Sequence, residues 1–176
     1  YVTVNGGTAQ DRGETTIGDG NWFLAYCHVA HDCVVGNETT WSNNAQIAGH
    51  VSIGDFVVMG AFSGVHQFCR VGEYAFIGGG TIATKDCLPF MKVVGSRPAR
   101  CFGPNSIGLE RKGFSEERRD AIKKMLAGAA GAASTIALRN RVTGDCRQVT
   151  QARRSKNICS SDLFNRSEQR QLRSLP

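Results

Sequence analysis

The stretch His28-Val29-Ala30-His31-Asp32-Cys33 sets two imidazoles three residues apart, with a carboxylate and a thiol beside them. Four readings suit that set: a metal site, a cysteine-histidine nucleophile pair, a general base steered by the carboxylate, or plain solvated surface. The choice depends on which of these side chains the backbone turns inward, and so on the elements that carry them.

Those elements show as a six-residue repeat. Reading in sixes from Ile17, position one is apolar in all twelve hexads, and position two is Gly, Ala, Ser or Thr in ten, Leu24 and His66 being the exceptions. Gly18, Gly36, Gly54 and Gly72 recur at every third hexad. This pattern has no helical face. It suits a chain bent between short flat strands, each coil stacking on the last. The expectation is an all-β, triangular parallel β-helix with four regular coils over residues 17–88, positions one and five facing inward, and coils about 4.8 Å apart.

The repeat then sorts the chemistry. Cys27, Cys33, Cys69 and Cys87 all fall at position five, an interior slot where a thiol serves as a compact hydrophobe. His28, His31, His50 and His66 take positions six, three, four and two, so none points into the core. Counted around the three-hexad coil they lie at places 12, 15, 16 and 14, on one edge of the prism. Place 15 stacks His31, Gly49, Gln67 and Lys85; a glycine one coil from a histidine leaves room for a substrate to meet backbone N–H groups, the geometry that steadies an oxyanion. A corner glycine at a turn is the plainer reading of Gly49. Imidazole is well matched to proton abstraction near neutrality, which favours base catalysis at His31.

Composition narrows the classes further. The 176 residues suffice for one domain with a real core, and no run nears the roughly 18 apolar residues of a membrane span. Seven cysteines without a CxxC pair suggest neither a disulfide framework nor a zinc ribbon, and fit a reducing cytoplasm. Residues 1–126 hold 12 Lys/Arg and 12 Asp/Glu, whereas 127–176 hold 9 and 3, so the whole net charge of +6 lies in the last fifty residues. With no aromatic-interleaved basic face, nucleic-acid binding is not expected.

The hexads, with "HVAHDC", "IAGH", "VHQF" and "GLERKGFS", closely resemble the UDP-N-acetylglucosamine O-acyltransferases of lipid A biosynthesis, from about Tyr1 to Lys124. The resemblance implies a left-handed parallel β-helix that forms a homotrimer with active sites between subunits. It implies transfer of an (R)-3-hydroxyacyl chain from acyl carrier protein to the 3-hydroxyl of UDP-N-acetylglucosamine, with no cofactor and no metal. His31 would be the general base, Asp32 would orient it, and the Gly49 N–H would meet the oxyanion. His28, His50, His66 and Gln67 would line the sugar, pyrophosphate or acyl-pantetheine paths. Asn105 and Arg111 would lie near the nucleotide, and Gly79 where the acyl groove measures chain length. A thioester is already activated, so no nucleophilic cysteine is required.

The expected organisation is a β-helix over 1–97, a connector and helix start over 98–126, and an atypical basic tail over 127–176. The family has coils ahead of the point matching Tyr1, so the chain is expected to lie within a longer protein. The segment Gly7–Thr16 reads as a loop projecting from the prism. Ser115 is a good N-cap, Glu116 and Glu117 suit a helix start, and Ile122, Met125 and Leu126 give an apolar stripe. The tail reads either as a disordered basic extension or, preferred, as a shifted reading frame. Two other functions compete: a hexapeptide-repeat zinc enzyme of the gamma carbonic anhydrase type, using His28, His31 and His50, and a non-catalytic trimeric scaffold.

Overall fold

The computed structural model describes residues 1–139, with side chains described as far as Ala127. Most of the expected basic tail therefore lies outside the described residues. Two compact units follow one another, Tyr1–Gly113 and a second beginning at Phe114.

The first unit is a parallel β-helix of two-residue strands. After β1 (Thr3–Val4) come β2 (Thr16–Ile17), β3 (Trp22–Phe23), β4 (His28–Val29), β5 (Val34–Val35), β6 (Thr40–Trp41) and β7 (Gln46–Ile47). The same interval continues through β8 (Ser52–Ile53), β9 (Val58–Met59), β10 (Gly64–Val65), β11 (Arg70–Val71), β12 (Phe76–Ile77) and β13 (Ile82–Ala83). Every third strand stacks. One face is β1-β4-β7-β10-β13, the second β2-β5-β8-β11, and the third β3-β6-β9-β12. The third is extended by β14 (Met91–Val94), which pairs antiparallel with β15 (Arg100–Pro104). Partners lie three hexads apart, as His28 and Gln46 do, so the side-chain pattern of each coil falls on that of the next.

The interior is built as the repeat predicts. At position one Val29, Trp41, Ile47, Met59 and Ile77 are fully buried, and at position five so are Cys27, Cys33, Ala45, Val51, Val57 and Ala75. Each large aliphatic residue removed from water in this way contributes roughly 1.5–3 kcal/mol before chain entropy is counted. The few interior polar groups pair: the Trp41 indole N–H donates to Thr39 Oγ1 at 2.8 Å, and the Thr39 hydroxyl donates to Asn21 Oδ1. Along β2, an edge strand, Ile17 is 37% exposed, whereas Val35 one coil on is 3% exposed.

Position four carries a backbone feature that side-chain pattern alone does not reveal. Tyr26, Asp32, Glu38, Asn44, His50, Phe56, Phe62, Phe68 and Tyr74 all have φ between 56° and 66°, and Gly20 and Gly80 complete the series. A bend this tight needs the left-handed conformation, which costs a non-glycine residue about 1–2 kcal/mol. Ring stacking along the corners offsets part of that strain: Phe56 lies 4.6 Å from Tyr74, Tyr74 5.6 Å from Phe90, and the Lys112 ammonium sits 4.9 Å over Phe56.

The register departs from three hexads at both ends. Thr3 pairs with His28, so the connection from β1 to β2 holds seven extra residues. Val71 bridges Cys87, and Phe76 pairs with Lys92, each two short of three hexads. The expectation of regular hexads through residue 88 is corrected accordingly. The bend after β13, which holds Lys85, is shortened by the same two.

A short helix α1 (Ser106–Arg111) closes this unit, its N-cap Asn105 accepting the Gly108 N–H at 3.2 Å. In the second unit α2 (Glu116–Arg139) starts where the sequence indicates. The Ser115 hydroxyl accepts the Arg118 N–H at 3.3 Å, and the Glu117 carboxyl is held below its usual range by backbone and Ser115 hydrogen bonds. Ile122 and Leu126 are buried, and the helix runs past the end of the apolar stripe. No helix among the described residues is long and apolar enough to cross a membrane.

Candidate active site

The corner that follows β4, β7 and β10 holds the histidines. Asp32 occupies position four, φ 58°, and its carboxylate is buried. Oδ1 accepts the Thr8 N–H at 2.9 Å, and Oδ2 accepts the Thr8 hydroxyl at 2.7 Å. His31 Nδ1 lies 2.8 Å from the same Oδ2. Thr8, first through its hydroxyl and then through its amide, holds Asp32 well below the usual carboxylate range, with His31 adding to the effect. An ionised carboxylate can only accept, so the proton in the His31–Asp32 bond belongs to Nδ1. In the neutral imidazole Nε2 then keeps its lone pair, on a side chain 44% exposed. This is a base with a fixed tautomer, open to solvent on its reactive side.

Gly49 lies one coil on. A Cβ there would stand 2.6 Å from His31 Cε1 and 2.7 Å from Nε2, so only glycine admits the imidazole in this position. Among the described residues no protein group accepts the Gly49 N–H. At another corner the matching amides are filled, Asp19 donating to Asn37 Oδ1 and Asn37 to Asp55 Oδ1, both at 2.8 Å. The site thus joins a bare imidazole nitrogen and an uncommitted backbone donor, the pair that acyl transfer needs.

His50 completes the group. Its ring is edge-on to His31, centroids 5.0 Å apart, and stacked on Phe68 at 4.6 Å, while its Nδ1 lies 2.7 Å from Asp11 Oδ2. Donor atoms of His31, Asp32 and His50 lie within 4.8 Å of one another, the one set among the described residues with metal-ligand spacing. It does not include His28, and both Asp32 oxygens are already engaged by Thr8 and His31.

The remaining candidates divide. His28 lies on β4, paired with Thr3 Oγ1 at 2.7 Å, and His66 and Gln67 follow β10 on the same edge, both exposed. Gly79 follows β12 at a different corner, where an added Cβ would meet only Ala61 backbone atoms. Asn105 is a clamp within its own chain. Besides capping α1, it donates from Nδ2 to the Tyr74 carbonyl at 3.1 Å, at the third corner of the prism. Arg111 is exposed in the last turn of α1. The chain's own fold does not bring Gly79, Asn105 or Arg111 to the histidine edge.

Comparison with known proteins places this arrangement. Residues 86–142 match the family model described as UDP N-acetylglucosamine O-acyltransferase, domain 2. Over 124 residues, 70% of the chain, it is 51% identical to the acyl-(acyl-carrier-protein)-UDP-N-acetylglucosamine O-acyltransferase of Xylella fastidiosa and 52% identical to that of Stenotrophomonas maltophilia. Among solved structures, it is similar to the UDP-N-acetylglucosamine O-acyltransferase of Moraxella catarrhalis, with TM-score 0.69 and 42% identity over 71% of the chain. The chain belongs to the UDP-N-acetylglucosamine O-acyltransferase family. It spans about half the length of the curated relatives it matches, 47% of each of these two enzymes and 48% of the Moraxella structure.

Within the described residues of this chain the cysteine-histidine nucleophile reading is closed by burial. Cys33 is fully buried with its thiol pushed up by desolvation, and Cys87 is pushed up to about 12 for the same reason. Sequence reasoning missed Thr8, Asp11 and Arg12, whose Nη2 donates to the Asp32 carbonyl at 3.3 Å. The loop, expected to project from the prism, is mostly exposed and also brings polar side chains to the histidine corner. The available signal was its position, directly before the coil that carries "HVAHDC" and in the same bend of the prism.

Proposed function

We propose that the chain carries the catalytic centre of an acyl-carrier-protein-dependent UDP-N-acetylglucosamine O-acyltransferase, the enzyme class that begins lipid A synthesis. In this reading His31 Nε2 takes the proton of the sugar 3-hydroxyl as its oxygen attacks the thioester carbon of an (R)-3-hydroxyacyl chain. The C–O bond forms, and the carbonyl electrons move to an oxyanion that the Gly49 N–H is placed to receive. The oxyanion then collapses, the C–S bond breaks, and the carrier thiolate takes back the proton from His31. Asp32 stays ionised throughout, keeping Nδ1 protonated and favouring the transient imidazolium. The reaction needs no cofactor.

The observation that carries this reading is the His31–Asp32 pair locked by Thr8 above a glycine that only an imidazole-sized gap requires. The relatives' names, which specify the acyl carrier protein and the nucleotide sugar, supply the substrates. Gly79, Asn105 and Arg111 sit at other corners of their own chain, which suits a homotrimer in which a neighbour brings them to the site. A cytoplasmic setting accords with the free cysteines.

The test is transfer of a 3-hydroxyacyl group from acyl carrier protein to UDP-N-acetylglucosamine by the chain and its His31→Ala variant, matched for fold content. A loss of about 10²–10⁴-fold is expected for removal of a general base. Equal rates would refute the mechanism.

A further inference from the structure

Beside the His31–Asp32 pair stands a second imidazole-carboxylate pair, formed by His50 and Asp11 across a long stretch of sequence. Asp11 comes from the seven extra residues between β1 and β2, the same loop that supplies Thr8 to Asp32. Three contacts, Thr8 to Asp32, Arg12 to the Asp32 carbonyl and Asp11 to His50, fasten this loop along the histidine corner. His50 is held on every side: Asp11 at Nδ1, the His31 ring edge-on, Phe68 flat against one face, and its own amide donating to the His31 carbonyl at 3.0 Å. A ring fixed so fully by its surroundings is oriented rather than merely exposed; its side chain is only 19% accessible.

Resting on the acyltransferase reading above, we propose that Asp11 is a positioning residue that sets the polarity of His50 toward the acceptor substrate. A carboxylate at 2.7 Å accepts, so neutral His50 carries its proton on Nδ1 and presents Nε2 as a bare acceptor. His50 then recognises a hydrogen-bond donor, an O–H or amide N–H of the acceptor sugar, and not a carbonyl or phosphate oxygen. Without Asp11 the imidazole is free to move its proton to Nε2, which turns the same nitrogen into a donor and leaves the substrate donor unmatched.

The experiment uses the full chain, wild type against Asp11→Ala, Asp11→Asn and His31→Ala. Long-range proton-nitrogen spectra read the His50 tautomer, and transfer kinetics read KM for UDP-N-acetylglucosamine apart from kcat. We expect Nδ1–H in the wild type, a shift to Nε2–H in Asp11→Ala, and a KM raised about tenfold with kcat held within about twofold, the size of one lost hydrogen bond near a charge. Asp11→Asn keeps an acceptor oxygen and restores most of both. A His50 tautomer that does not move in Asp11→Ala overturns the assignment whatever the activity. A tautomer that moves while KM stays put overturns the role in acceptor recognition. Equal transfer by wild type and His31→Ala, with the tautomer shift intact, would instead remove the reaction proposed above and leave the Asp11 assignment standing.

Discussion

Gly49→Ala tests the site with the smallest change that can disturb it. The new methyl would lie 2.6 Å from His31 Cε1 and 2.7 Å from Nε2, where carbon contacts ordinarily sit near 3.5 Å, so the imidazole must retreat by roughly 0.8–1 Å. Asp32 cannot follow it, because both carboxylate oxygens are tied to Thr8. The ring therefore loses its 2.8 Å bond to Oδ2 or turns Nε2 away from the reacting hydroxyl. A misplacement of about 1 Å at a reacting group lowers the rate roughly 100-fold, which is about 2.7 kcal/mol of barrier. Folding should be spared. Gly49 does not adopt a left-handed φ, and the far end of its clash is a half-exposed side chain. The assay is the initial rate of transfer at saturating carrier and sugar, beside thermal unfolding of the same samples. A variant whose kcat stays within threefold of wild type would refute the argument that Gly49 is glycine for the sake of His31.

Two further outcomes bear on neighbouring parts. Thr8→Val removes the strongest influence keeping Asp32 ionised. A carboxyl with a depressed native pKa adds stability that is complete above its ordinary value, near 4, and is lost as pH falls toward the native one. The variant should therefore unfold at lower temperature than wild type at pH 7, with the gap narrowing only as pH falls below the usual carboxylate range; a gap that stays constant to the acid limit of folding would show that Asp32 is not the group involved. Alkylation of native protein followed by peptide mapping should label exposed Cys101 and leave Cys27, Cys33, Cys69 and Cys87 untouched until denaturant is added. Native labelling of Cys33 would reopen its candidacy as a nucleophile.

Much of this was legible in the sequence because a stacked coil repeats its demands. Position one must fill the prism, position five must be small, and twelve hexads state both rules often enough to assign inside and outside residue by residue. Counting around the coil was then enough to gather His28, His31, His50 and His66 on one edge. Counting fails where the chain leaves the period. Thr8 and Asp11 sit in a bend with seven extra residues, so no place in the repeat relates them to Asp32 and His50. The left-handed turns at position four were hidden for another reason: the residues there run from Glu38 to Phe62, and their shared property is a backbone angle rather than a side-chain type. Asn105 shows a use that the motif did not state: the fold employs its side chain to cap a helix and to hold Tyr74.

Two departures from the three-hexad register, the gain before β2 and the loss after β13, occur in the bend that joins the first face of the prism to the second, the bend that carries His31 and His50; the Ile82–Ser96 bridge marks a further shortening beyond β14. At the other two bends the spacing between strands is constant from β2 to β13. A solenoid of this kind separates what can be edited from what cannot. From β2 to β13 two corners keep time for the stack, where a one-residue slip would turn every following core residue outward. The third tolerates chain of another length because a bend can swell or shrink without moving the strands it joins. Insertion there changes the groups set beside His31 and His50, as Thr8 and Asp11 show, without moving the strands that carry the two imidazoles.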